Sequence, residues 1–368
     1  MMMSMLHSVT DQRDRIFALR GLLGSAAKAN LSHLDHSCSP GEVFMAATKC
    51  MISEGNNLNY LQFKNSLCAR KTEPRIPTWV LWLNPNSIKY STPLPAALSI
   101  SKAQFSRFTV QTKGRTLVTR GFVFDVVSHA YENFSRSNIP SIVQQAYMKC
   151  VEDGTTFKDS KEGVDNLLKA LLKHDAEASE DPSDNMLSLR ADFMSCLGRW
   201  ILGSNKKADP NNETSQQEIQ GLLSQNGGKS VLRKPSGQPR RSEAKETRWQ
   251  RRIMGGDGTR ARKLLAQNLL SHEVSGQPKD DQGRNLFFSR KGYRGVGPYD
   301  NNKGDKKRFA VREGDHIVFV PTVAHPLVLR PRPNETYKFI GPAFIPGIEN
   351  APCFVEGRII EVDQLLIR

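Results

Sequence analysis

FTVQTKGRTLVTRGFVFDVV, residues 108–127, is the stretch on which the fold turns. Phe108-Thr109-Val110 is β-prone, Thr112-Lys113-Gly114-Arg115 supplies a turn, and Thr116 to Val127 reads as a long second strand. A lone hairpin is marginal in water, so it needs further strands to cover it. From Asn285 onward the chain offers them: Leu286-Phe287-Phe288, Ile317 to Val320, Leu327-Val328-Leu329, Tyr337 to Ile340, and Gly357 to Val362. Glycine, proline and asparagine breaks separate these runs at roughly 8–12-residue spacing, the pattern of a small antiparallel barrel or sandwich. The hairpin is therefore expected to join the C-terminal strands in one β module.

The rest of the chain is helical or polar, so the expected class is α+β. Asp11 to Leu19 is expected to run as helix toward Gly21 and Gly24. Ser39, Pro40 and Glu42 are the cap, first-turn proline and capping-box acid of a second helix, whose apolar face is Val43, Ala46, Ala47, Cys50 and Met51. Ile76 to Trp82 reads as an extended segment pinned by two tryptophans. Helices follow at 142–151, over Val164 to Leu172, and over Leu189 to Ile201. Residues 204–283 are rich in Asn, Gln, Ser and Gly, a composition expected to be disordered.

With 52 Lys+Arg against 37 Asp+Glu over 368 residues, the chain carries +15, which excludes an acidic solvating protein and favours contact with polyanions. The excess is local: residues 229–263 hold 12 basic and 3 acidic residues, so +9 of the +15 lies there. Arg240, Arg241, Arg248, Trp249, Arg251 and Arg252 are the candidate polyanion-binding residues, cations around one stacking ring. A solvated linker is the bland alternative for the same run. No window approaches 18 consecutive apolar residues, and Met1 to Leu6 lacks the basic and apolar parts of a secretory leader. No membrane partner is expected. The cytoplasm is the expected compartment, with the nucleus second because the basic run resembles an import signal. Six cysteines without a C-x-x-C pair suit free thiols in a reducing compartment.

The chemistry-bearing motifs are weak. Leu223 to Ser230 lacks the first glycine of a phosphate loop, and Gly256 to Ala261 lacks the strand that a dinucleotide fingerprint needs. His33, His36 and Cys38 lie close together but want a fourth ligand at zinc-like spacing. No G-x-S-x-G is present, and Cys353 after Pro352 reads as a structural thiol rather than a partner of His325. The expectation is no catalytic residue, no cofactor and no metal.

Several runs, taken in order, resemble the fungal heterokaryon-incompatibility protein family. Thr10 to Leu19 resembles the motif closing that family's signature domain through Asp11, Arg13 and Asp14, with Gln12 where proline is usual. Pro77-Thr78-Trp79-Val80 and Leu117 to Asp125, with Gly121 and Asp125, come next. Gly292, Gly295, Gly297 and Pro298 follow, then Gly314-Asp315, then Pro326 with Arg330-Pro331, and finally Gly341 and Gly347. Pro346 replaces a usual histidine. These are structural motif positions. The resemblance puts most of the signature domain, which resembles TIR folds and triggers cell death, upstream of Thr10. It thus implies a member truncated at the N-terminus: residues 1–100 as the end of that domain plus a helical and extended region, 101–130 as the hairpin, 131–203 as a helical insertion, 204–283 as the basic linker, and 284–368 as the β module. The implied role is non-catalytic recognition or regulation in non-self recognition and programmed cell death, with an unidentified protein partner, another incompatibility protein being the first candidate. The alternative is a basic nucleic-acid-associated protein acting through residues 229–263.

Overall fold

The computed structural model describes residues 9–56, 58–63, 76–81, 110–131, 139–152, 166–171, 284–298, 310–348, 351, 353, 360 and 362–368. The chain divides into two compact units, Met1–Glu132 with Gly276–Arg368, and Asn133–Ser275.

In the first unit, α1 is Asp14–Phe17, a 3-10 turn follows at Arg20–Leu22, α2 is Ser25–Asn30, and α3 is Pro40–Gly55. The single helix expected up to Gly21 is thus broken after Phe17. Arg20 accounts for the break: its guanidinium donates to the carbonyls of Leu31 and, at 3.0 Å, Leu34, which draws this segment back onto the loop after α2. The start of α3 follows its sequence signals. Glu42 N–H donates to Ser39 Oγ at 3.3 Å, Ser39 N–H donates to Glu42 Oε2 at 2.8 Å, and Pro40 holds the first helical position.

The strands are β1 Val110–Lys113, β2 Thr116–Ala130, β3 Arg284–Ser289, β4 Arg294–Pro298, β5 His316–Phe319, β6 Leu327–Arg332, β7 Thr336–Pro342 and β8 Asp363–Ile367. They form one mixed, largely antiparallel sheet of eight strands, ordered β4-β3-β2-β5-β6-β7-β8, with β1 also on β2. The fold is α+β. The hairpin shares this sheet with the C-terminal strands: Val118 stands opposite Gln111 of β1 and Leu366 of β8. Most of the strand expected over 357–362 lies outside the described residues, and the final strand starts at Asp363 instead. β2 pairs with β1, β8, β5 and β3 in turn, and its register shifts between Val123 and Asp125 and again between Val127 and His129. β7 and β8 make the parallel pair.

Two cores result. One face of the sheet, through Leu117, Val318, Leu329, Phe339, Leu365 and Ile367, packs with Val43, Phe44, Leu61 and Trp79. The other, through Phe124, Ile317, Phe319 and Val328, packs with Phe287 and Ile345. The described residues between Ile16 and Leu81 thus share a core with the strands. Residues 76–81 are not extended as expected. They turn, with Val80 N–H donating to Pro77 O at 3.2 Å, and all six are buried.

The second unit contains α4, Ile139–Glu152. Its buried residues Ile142, Val143, Ala146, Tyr147 and Cys150 recur on one helical face. Residues 166–171 are helical too, with Leu167, Leu168 and Leu171 buried. The helix expected over 189–201, the expected 204–283 linker and the phosphate-loop and dinucleotide near-matches lie outside the described residues.

Candidate functional site

The motif residues gather at three places in the first unit. The most built of them is a brace where β2, β5, β6 and the β3–β4 turn meet. Asp315, 1% exposed, receives Arg330 Nε at 2.8 Å on Oδ1 and Arg330 Nη2 at 2.9 Å on Oδ2. Arg312 N–H adds a bond to Oδ2 at 2.9 Å, and Arg330 Nη2 also reaches Ala310 O at 2.6 Å. Two-pronged arginine–carboxylate pairs of this kind fix geometry as well as charge. Gly314 sits at φ +83, a region that favours glycine, and its N–H donates to Val127 O at 2.9 Å while Val127 N–H donates to Asp315 O at 2.8 Å. Asp125 completes the brace. Its carboxylate accepts from Val126 N–H at 2.7 Å and from Lys291 N–H at 3.0 Å. Lys291 Nζ donates to Phe124 O at 2.6 Å and stands 4.8 Å over the Phe124 ring. Gly292 follows it at φ +86.

The second place is the glycine-lined seam between β2, β4 and their neighbours. A Cβ on Gly121 would fall 2.5 Å from Leu365 Cδ1, and one on Gly295 would fall 2.6 Å from Phe287 Cζ and 2.9 Å from Phe344 O. Gly297 faces Val311, and Gly341 faces Pro298, in the same close fashion. Pro298 O accepts from Val311 N–H at 3.0 Å and Pro326 O from Ala343 N–H at 2.8 Å. Pro331 pairs with Tyr337, and Gly347 lies in the turn after β7. Trp79 is fully buried and its Nε1–H donates to Arg115 O at 3.1 Å, fastening the 76–81 turn under the β1–β2 hairpin.

The third place is the N-terminal motif. Arg13 binds the Asp11 carboxylate through Nε at 3.0 Å and Nη2 at 2.5 Å, and its Nη1 reaches the carbonyls of His36 and, at 2.8 Å, Cys38. The Arg13 side chain, followed by its backbone N–H, pulls the Asp11 carboxyl down to about 2. Asp14, the first residue of α1, lies 3.0 Å from His36 Nε2. Among the described residues no group of three His, Cys, Asp or Glu could hold a metal ion.

Beside this motif a cleft of about 540 Å³ runs along α3. Glu42, Met45, Ala46, Lys49, Cys50 and Ser53 form its helical wall at i, i+3, i+4, i+7, i+8 and i+11; Asn30, His33, Leu34, Cys38 and Thr112 face them. Its size suits a small ligand. Its chemistry is muted: Glu42 is spent on the capping box, and burial, with Glu54 second, pushes the Cys50 thiol up, away from the reactive thiolate. Cys353 packs against the second core.

Sequence reasoning overlooked Lys291, Thr48 and the cleft. Thr48 had a local signal, a buried hydroxyl four residues after Phe44, to whose carbonyl it donates at 2.7 Å. The polyanion-binding candidates Arg240, Arg241, Arg248, Trp249, Arg251 and Arg252 lie outside the described residues. Among the described residues, no helix is long and apolar enough to cross a membrane. No protein-family model, curated protein or solved structure matches the chain.

Proposed function

We propose that the chain is a non-catalytic recognition or regulatory protein of the fungal heterokaryon-incompatibility type, acting in non-self recognition and programmed cell death through a protein partner, another incompatibility protein being the first candidate. One observation carries the reading. Motif residues drawn from distant parts of the sequence, Asp125, Gly292, Gly314, Asp315 and Arg330, meet at one brace and serve it with backbone and ion-pair bonds. Each of them is accounted for by a turn or strand it holds, which supports reading these motif positions as a scaffold rather than a catalytic site. The circuit of pairings from β2 through β5, β6, β7 and β8 back to β2 belongs to the same reading as a small closed barrel. Such barrels commonly present faces and loops for recognition.

Expression in a fungal host tests the proposal. The chain alone is expected to cause no cell death and no dinucleotide hydrolysis, and to change the death response when co-expressed with an intact incompatibility protein. Death caused by the chain alone, dinucleotide cleavage lost on substitution of one internal residue, or no effect on the partner's response would each overturn it.

A further inference from the structure

The sheet carries a group of cations on one face that the brace and the cleft do not use. Leu117, Leu365, Ile367 and Phe339 face the N-terminal helices, so the alternate residues of the same strands face the other way. Lys113 stands opposite Thr116, and Arg368 Nε donates to Thr116 Oγ1 at 3.1 Å. Leu366 lies between Val118 and Thr336, and Thr336 stands opposite Arg332. Lys113 and Arg368 therefore share one register row across β1, β2 and β8, and Arg332 of β6 lies in the next row of the same face, two residues further along the strands. Arg115, in the β1–β2 turn, extends the group, and these four residues are exposed. Arg120 is half-buried on the same face, where Lys338 is buried and Arg330 is held by Asp315. Of the carboxylates near this face, Asp315 is taken by Arg330 and Asp125 by the Val126 and Lys291 amides, and Glu335 lies in the adjoining β6–β7 turn. The cations also crowd one another: burial of its stem first, then the like charges of Arg330 and Arg368, hold the Arg332 guanidinium below its ordinary value.

We infer that Lys113, Arg115, Arg332 and Arg368 form a folded binding surface for a nucleic-acid phosphate backbone, separate from the basic run at 229–263. Charge complementarity fixes the partner's class, since the surface offers guanidinium and ammonium donors to a ligand of repeated negative charge. Beside these four cations the pairings place no aromatic side chain, Val118 is buried, and the aromatics of this face, Phe124 and Phe319, are buried in the second core. A protein partner would look for such anchors, and single-strand stacking would need them. Binding is thus to the backbone, without sequence preference, and strongly salt-dependent.

The test is titration of the full chain with a labelled DNA duplex of about 20 base pairs over a series of salt concentrations. Each neutralised phosphate adds about 0.9 to the log–log slope, so K113Q/R115Q/R332Q/R368Q is expected to lower the slope by roughly 3. If the fourfold variant fails to fold, K113Q/R115Q, confined to an exposed turn, is expected to lower it by about 1–2. An unchanged slope in a folded variant overturns the inference, because binding would then belong to residues elsewhere. Tighter binding of a poly-glutamate peptide than of the duplex at equal salt overturns it in favour of an acidic protein.

Discussion

Asp315 and Arg330 meet in two bonds, Nε to Oδ1 at 2.8 Å and Nη2 to Oδ2 at 2.9 Å, with the carboxylate 1% exposed and the guanidinium side chain 19% exposed. The pair joins the start of β5 to β6. Removing one partner strands the other in a site built for both, at a cost of about 3–5 kcal/mol. Asp315→Ala is expected to show that loss in urea unfolding, with the double variant Asp315→Ala/Arg330→Met recovering part of it. Equal stability of Asp315→Ala and the parent would contradict the brace.

The close approach at Gly121 makes a second prediction. A methyl there meets Leu365 Cδ1 at 2.5 Å and Phe319 O at 2.9 Å, whereas one at Gly21 meets nothing within 4 Å. Gly121→Ala should destabilise by roughly 1–3 kcal/mol and Gly21→Ala should stay within about 0.5 kcal/mol of the parent. Thermal unfolding of the two variants decides it.

Acid should loosen the N-terminal helices first. Asp11 is depressed from 3.8 to about 2 by Arg13, and Glu42 lies below 4.5 through its bonds to Ser39. A depressed carboxylate contributes stability that is present above its unfolded value and is lost as pH falls through its folded value. The loss therefore runs from the ordinary carboxylate range down to about pH 2. Amide exchange in α1 and α3 should quicken over that window, and Asp11→Asn should flatten the response near α1.

Thiol reactivity should separate Cys38 from Cys50, although both line the cleft. Burial raises the Cys50 thiol and keeps its side chain covered, while Cys38 is half-buried. Mass spectrometry after brief alkylation at neutral pH is expected to find Cys38 modified well before Cys50. Faster labelling of Cys50 would mean that α3 opens readily.

What could be read without the structure was what local chemistry settles. The capping box at Ser39 and Glu42 needs only neighbours three residues apart, and the hairpin needs only period-two alternation around Gly114. The bend at residues 76–81 was beyond that reach. Proline stiffness argues for extension there, but Thr78 Oγ1 donates to Arg368 O and accepts from Phe339 N–H at 3.0 Å, partners 290 and 261 residues away. The brace was half legible: Gly314-Asp315 and Arg330 stood out as motif residues, but their meeting depends on β5–β6 register, and Lys291 carried no pattern of its own. The cationic face was hidden behind the larger charge excess at 229–263, because composition counts charges without placing them on a face.

The Thr116–Arg368 bond spans 252 residues, and β2 takes every partner but β1 from beyond residue 283. At a synthesis rate of about 5–20 residues per second, Thr116 is added roughly 13–50 seconds before Arg368. During that interval the apolar stripe of α3 has no completed sheet to cover it. A chain released early, or translated slowly between these points, would expose Val43, Phe44 and Leu117 together. Folding yield in cells should therefore depend on translation speed and on holding chaperones more than the stability of the finished protein would suggest.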